Sequence, residues 1–477
     1  MMAALYLPAG VSATRPGQQP VHGSLRRVQD APITGWRERR PPGRKAGMAT
    51  SYPIRPITED DLPGFRNVHE HAFHGRPPSE RAQALWLSRL ELDRTLAAFD
   101  GKAVVGAAGI FSFRMRVPGA LIPVAGVTMV AVLPTHRRRG ILSALMRRQF
   151  EDLSRGGEAV AALFASEANI YGRFGYGPAS SHAFFTLKGG EGRLAATAPA
   201  DDRLRLRLAD PATVRAELGK VYDVALAERP GFYARTDAWW DRVLDDPKDE
   251  WGSGSPLRCL LAGDDSGPRG YALFRAQGRW DDPTFLPDSD LDVREAITAD
   301  PAATAAVWGD LLSRDLTTEF RAEMRPVDDP LLHLLADPRR LRRQVSDALW
   351  VRLVDVGRAL GQRRYACPVD VVIEVADEAL PQNQGRWRLT AGPDPVADSR
   401  EAAGGTTAMG FGARCERTTA AADIVAPVRA LGASYLGDTR LGALARAGLV
   451  TENRAGALAA LSTALSWDPA PWCPLIF

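Results

Sequence analysis

The stretch from Val127 to Leu153 constrains the fold more than any other. It runs Val-Thr-Met-Val-Ala-Val-Leu to Leu133, turns at Pro134-Thr-His, and passes three arginines and Gly140. Apolar residues then recur at helical spacing, with Leu142, Leu145 and Met146 on one face and Arg147 and Arg148 on another. This order predicts a strand over 124–133 and a helix over 141–153, joined by a short basic turn. A helix start leaves four N–H groups without intrahelical partners, and its dipole favours negative charge. A glycine lets backbone approach a ligand closely, and arginines add charged hydrogen bonds. Such a site suits a pyrophosphate. For an isolated Arg-Arg-Arg-Gly, a solvated basic turn is the plainer reading. Strand, proline turn and amphipathic helix in the right order favour the anion site.

The surrounding pattern is α/β. Segments 60–73 and 81–93 read as helices. Segments 96–99 and 103–113 read as strands paired through Asp100-Gly101, 159–165 as a buried strand, and 183–187 as the strand that closes the unit. From 195 to 340 a similar rhythm returns without the glycine turn: strand 291–297, helix 302–312, strand 318–324. A third region begins near Ala348, with strands at 349–354, 369–375 and 386–389 and helices at 425–431, 441–447 and 454–465. A length of 477 residues is enough for about three domains. The expected division is an extension at 1–50, then units at 51–192, 193–342 and 343–477.

The chain is 45% apolar and 25% charged, as in soluble globular proteins. A net charge of +3 gives no reason to expect a nucleic-acid or membrane partner. No apolar run approaches the ~20 residues of a membrane-spanning helix. Cys259, Cys367, Cys415 and Cys473 are scattered, which predicts reduced thiols, a cytoplasmic location and no zinc site. The segment His69-Glu-His-Ala-Phe-His74 lacks His-Glu-x-x-His spacing, so no metal is expected there either. The first 47 residues mix Pro, Gly and Arg without apolar periodicity, and read as disordered rather than as a signal peptide. Lysine is rare and arginine abundant, a bias of GC-rich coding that makes Met48 a candidate start.

A second motif follows the buried strand: Ala165-Ser-Glu-Ala-Asn-Ile-Tyr171-Gly-Arg-Phe-Gly-Tyr176-Gly-Pro178. Together with Thr135-His-Arg-Arg-Arg-Gly140, it resembles the Eis family of N-acetyltransferases, over about 52–477. The basic turn is similar to the GNAT pyrophosphate motif, Arg/Gln-x-x-Gly-x-Gly/Ala, with Arg137, Gly140 and Leu142 at the fixed places. Leu142 departs from Gly/Ala, which predicts a helix set slightly farther from the phosphates.

The resemblance implies an α/β protein of two tandem GNAT folds, each a mixed central sheet flanked by helices. The first would be active and the second without a cofactor site. A C-terminal α+β domain similar to sterol carrier proteins would follow. It implies acetyl-CoA as acyl donor, direct transfer through a ternary complex, a homo-hexamer, and amine acceptors: aminoglycosides, lysine side chains or polyamines. By position, backbone of Val130, Ala131 and Val132 would hold the pantetheine arm and acetyl carbonyl. Arg138, Arg139, Gly140, Ile141, Leu142 and Ser143 would hold the pyrophosphate, with Ser166 and Glu167 bordering the arm. Tyr171 would be the general acid and the carboxylate of Phe477 the general base. Phe73, His74 and Trp86 would line the amine pocket, and Tyr176 would be structural. No acidic residue stands at His74 or Ile476, a departure from a lining suited to polycations.

The chemistry is consistent. An amine of pKa about 10.4 costs roughly 4–5 kcal/mol to neutralise at pH 7, and a tyrosine near pKa 10 can serve a thiolate near 8.5. A carboxylate near 3.5 is a poor base and better suited to orienting the ammonium. The competing reading is a lipid carrier or scaffold built on the third domain.

Overall fold

The computed structural model describes residues 52–477 apart from 76, 249–250, 252–253, 282 and 394–409. The extension expected at 1–50, with Met48, lies outside the described residues.

The first unit supplies β1 (Ile54–Pro56), β2 (Leu96–Asp100), β3 (Ala103–Val117), β4 (Ala120–Val132), β5 (Val160–Phe164), β6 (Gly177–Pro178) and β7 (Ser181–Lys188). Its helices are α1 (Leu62–Phe73), α2 (Glu80–Leu87), α3 (Ile141–Arg155) and the single turn α4 (Ala168–Tyr171). The helix expected over 81–93 ends at Leu87. Beyond it, the Glu91 carboxylate accepts hydrogen bonds from the Ser112 backbone N–H and hydroxyl, both at 2.6 Å, and Glu91 leads into a separate 3-10 turn at Leu92–Arg94. Apolar side chains along β5 alternate between faces: Val160, Ala162 and Phe164 on one, Ala161 and Leu163 on the other.

The second unit adds β8 (Arg205–Ala209), β9 (Arg258–Asp264), β10 (Gly267–Gln277), the small pair β11 (Trp280–Asp281) and β12 (Leu286–Pro287), β13 (Ser289–Thr298), β14 (Thr317–Pro326) and β15 (Arg342–Asp347). Helices α5 (Arg215–Glu228), α6 (Asp237–Leu244) and α7 (Pro301–Leu312) pack with this sheet and the first unit. Next come β16 (Leu349–Leu353), β17 (Val369–Ala376), β18 (Gly385–Gly392), β19 (Gly412–Arg417), β20 (Ile424–Pro427) and β21 (Thr451–Glu452).

The sheets do not follow the expected closure. The first sheet has the order β1-β2-β3-β4-β5-β16-β6, and the second β15-β7-β14-β13-β10-β9-β8. Segment 183–187, expected to close the first unit, lies in β7, which pairs antiparallel with both β14 and β15. The place beside β5 is taken by β16, from beyond the second unit. Every residue of β16 is buried, and its Arg352 is held by Asp377 at 2.7 Å. The third sheet has the order β19-β18-β17-β20-β21. Segment 425–431, expected to be helical, starts as β20, in parallel register with β17, and becomes helix only at Val428–Ser434. Pro427 explains this, since a residue before proline is driven from helical to extended backbone.

After its last helix, Ala457–Leu465, the chain returns across the second unit. The Ala470 N–H donates to Asp328 at 2.9 Å, Arg229 donates to the Ala470 carbonyl at 2.8 Å, and the Trp472 N–H donates to the Pro230 carbonyl at 2.8 Å. Gly231, at φ +95°, lies so close that a Cβ there would stand 2.7 Å from the Trp472 carbonyl oxygen. The tail then delivers Phe477 to the first sheet.

Candidate active site

The site begins where β4 and β5 part. Their parallel ladder covers only Val124–Val160, Ala125–Ala161 and Gly126–Ala162. Beyond it β4 continues to Val132 and β5 to Phe164 without pairing to each other. The divergence is accompanied by a bulge in β4. Its register with β3 shifts between Ala107 and Gly109, and Met129 has left-handed backbone, φ +54°. Gly109 makes room, because a Cβ there would stand 2.4 Å from the Met129 methyl carbon. The His69 ring bridges from α1, with Nε2 2.7 Å from the Met129 carbonyl oxygen and Nδ1 2.8 Å from that of Phe65. Burial lowers the His69 pKa, and the two carbonyls oppose that shift. The edge of Val130, Ala131 and Val132 that faces β5 is therefore free to bond a linear polar ligand.

The turn after β4 leaves the start of α3 open. Arg138 has φ +63° and Gly140, the N-cap of α3, has φ +83°. No side chain caps the first turn of α3, and Arg137, Arg138, Arg139 and Gly140 are exposed. Arg139 donates to the Tyr52 hydroxyl at 2.9 Å. Ile141 is buried, Ser143 is exposed, and Leu142 packs on the cluster beneath α3. A Cβ at Gly106 would stand 2.6 Å from Ile141 Cγ2, which shows how closely α3 lies on β3.

Ser166 and Glu167 are exposed just past β5, with Glu167 as the N-cap of α4. Tyr171 ends that turn with its ring 2% exposed, in the cluster under α3. Burial, with a contribution from Glu167, pushes its phenol up to about 12. Tyr176 packs edge-on to Tyr171 at 6.0 Å and stacks on Phe150, a core position.

Phe477 occupies the other face. Its ring lies 4.8 Å from Phe113, 5.4 Å from Phe164 and 6.1 Å from Tyr233. It helps line a pocket with His69, Trp86, Arg89, Phe111, Thr128, Met129, Trp239, Arg242 and Ile476. Tyr171 and Phe477 thus sit in clusters on opposite faces of the sheet, and the gap between β4 and β5 joins those faces. Of the three residues expected in the amine pocket, only Trp86 lines this cavity. Phe73 instead stacks on His69 at 6.2 Å, and His74 is the exposed C-cap of α1. Sequence reasoning missed Arg89 and, from α6 of the second unit, Trp239 and Arg242. The last two lie at i and i+3 on one helix face.

Comparisons with known proteins agree with this geometry. The acetyltransferase (GNAT) domain family matches residues 53–179, a second acetyltransferase (GNAT) family matches 231–353, and the sterol carrier protein domain family matches 356–474. An uncharacterized N-acetyltransferase of Streptomyces avermitilis is 42% identical, covering 88% of this chain and 98% of its own. N-acetyltransferase Eis of Mycobacterium tuberculosis is 35% identical, covering 86% and 96%. The crystal structure of Eis1 from Mycobacterium abscessus superposes with a TM-score of 0.72 at 32% identity, over 89% of this chain and 100% of the other. A GCN5-related N-acetyltransferase from Anabaena variabilis, 18% identical over 89% and 100%, shares the fold with a TM-score of 0.74. The chain therefore belongs to the Eis family of GNAT N-acetyltransferases: an enzyme of the acyltransferase type, with two GNAT domains, a sterol-carrier-like domain and acetyl-CoA as the implied acyl substrate.

Proposed function

We propose that this enzyme transfers the acetyl group from acetyl-CoA directly to a primary amine while both are bound. The observation that carries the reading is the gap between β4 and β5. It has the open start of α3 at one end, Tyr171 on one face and the Phe477 pocket on the other. In this reading Arg138 to Ser143 hold the pyrophosphate and the free edge at Val130 to Val132 holds the arm and the acetyl carbonyl. Ser166 and Glu167 flank the arm. The amine enters from the Phe477 side.

The amine nitrogen attacks the thioester carbonyl, the C–S bond breaks, and the departing thiolate meets the Tyr171 hydroxyl. A phenol at about 12 is some 3.5 units weaker an acid than a thiol near 8.5, a gap of roughly 5 kcal/mol. Tyr171 therefore acts first as a hydrogen-bond donor to the developing thiolate, and completes the proton transfer late. The Phe477 carboxylate orients the ammonium and passes its first proton to water before attack; the second N–H proton leaves as the amide forms and restores, through water, the one Tyr171 gives to the thiolate. Burial pushes the thiols of Cys259, Cys415 and Cys473 up to about 12, which favours direct transfer over an acyl-cysteine intermediate. All four cysteines are unpaired, in keeping with a cytoplasmic protein. The acceptors that the family resemblance implies, and that a first amine panel covers, are aminoglycosides, lysine side chains and polyamines; hexameric assembly is part of the same proposal. The test is acetyl-CoA-dependent thiol release with an amine panel. Tyr171→Phe is expected to lower kcat at least about tenfold, since a positioned acid contributes roughly 10²–10⁴-fold. Unchanged turnover in that variant would remove Tyr171 from the mechanism.

A further inference from the structure

Resting on that reading, we infer that the acceptor is a small amine whose apolar body carries a carboxylate, and that Arg89 and Arg242 hold this carboxylate. The pocket lining contains two guanidiniums and no Asp or Glu side chain. Arg89 comes from the segment after α2 and Arg242 from α6, so two units converge to place like charges on one cavity. Arg89 Nε is buried without a hydrogen-bond partner, and its guanidinium lies over the Trp239 ring, 5.0 Å from the centroid. Asp245 stands near enough to influence Arg89 but is already paired with Arg81 at 2.8 Å. Among the described residues, no ion pair joins either guanidinium to a carboxylate. Burial first, and Arg242 second, push Arg89 down to about 10, as expected for a cation short of a counter-charge.

Tyr233 and Asp245 offset the charge of Arg89 only in part, and in the proposed mechanism the terminal carboxylate of Phe477 faces the ammonium. A polycation would meet two uncompensated arginines. An amine bearing a carboxylate supplies the missing anion, in the charge-assisted geometry guanidinium favours. The remaining walls, Trp86, Phe111, Trp239 and the Phe477 ring, suit an apolar body between the two charged ends. The like charge of the arginines also disfavours the ammonium form, which eases loss of its proton before attack.

The test uses the full chain and three matched acceptors: 6-aminohexanoate, its carboxamide and spermidine. Thiol release gives kcat/KM, and calorimetry measures 6-aminohexanoate binding to the CoA-saturated protein without needing turnover. The expected result is a preference for the acid over the amide of about tenfold to a hundredfold, the worth of a charged hydrogen bond. Arg242→Gln and Arg89→Gln should each reduce it, chiefly through KM, and Arg242→Lys should retain part. Acetylation of the amide or spermidine at least as good as that of the acid would overturn the inference and leave amine transfer standing. Arginine-dependent binding of 6-aminohexanoate without acetylation of any amine would support the inference and overturn amine transfer. Neither binding nor turnover would overturn both.

Discussion

Adding a single glycine after Phe477 separates the two things that residue does. The ring is 5% exposed and fixed by Phe113, Phe164 and Tyr233, so it stays in place. The carboxylate moves outward by up to about 3.5 Å, the span of one residue. A carboxylate about 4 Å from an ammonium is worth about 4 kcal/mol at an effective dielectric constant near 20, and about 2 kcal/mol at roughly 7.5 Å. The loss of about 2 kcal/mol corresponds to about a 30-fold fall in kcat/KM with an amine acceptor. Acetyl-CoA binding and the melting temperature should stay the same. Phe477→Ala is the complement: it keeps a terminal carboxylate but empties the aromatic cage, at a cost of about 3 kcal/mol in stability. Its melting temperature should fall by several degrees. The assays are thiol release and scanning calorimetry on both variants beside the parent chain. An extended protein that keeps kcat/KM within about twofold would refute the role given to the carboxylate. An extension that lowers the melting temperature as much as Phe477→Ala would refute the separation itself.

Two further outcomes follow from the geometry. Gly140→Ala places a side chain at φ +83° on the uncapped start of α3, so KM for acetyl-CoA should rise severalfold with kcat little changed, as read by thiol release. Folding stability should decline in alkali. Burial raises Tyr171 from 10.0, and Cys259, Cys415 and Cys473 from 9.0, to about 12. The folded state thus holds protons that the unfolded chain has lost. That stabilisation is fully present below the unfolded values and disappears as pH rises through about 12, so denaturant midpoints should drop between pH 9 and 12.

The residues proposed for the donor side could be picked out of the sequence because they are local in it. A strand, a turn, Gly140 and a helix are contiguous, and so are β5 and the Tyr171 motif. The acceptor side was much less legible. Trp239 and Arg242 reach the pocket from α6, about a hundred residues after the motif that defines the fold, and a helix face carries no mark of which neighbour it will meet. The same holds for the sheets. Segments 181–188 and 349–353 are both apolar strands, and nothing within either says which sheet it joins. Hydrogen-bonding geometry decides that only when all the strands are present. The error at 425–431 was avoidable, since Pro427 marks the residue before it as extended.

The insertion of β16 beside β5 has a bearing on how the protein comes into being. As the chain leaves the ribosome, β5 keeps an open edge until Leu353 has been made, and the second sheet is completed by β15 only just before. The pocket proposed for the acceptor stays open longer still, until Phe477 folds back. If Phe477 acts as proposed, competence for catalysis waits until that residue has been made. Under the proposed mechanism, a prematurely released fragment carries the turn before α3 and Tyr171, but lacks the wall proposed to present an amine to them.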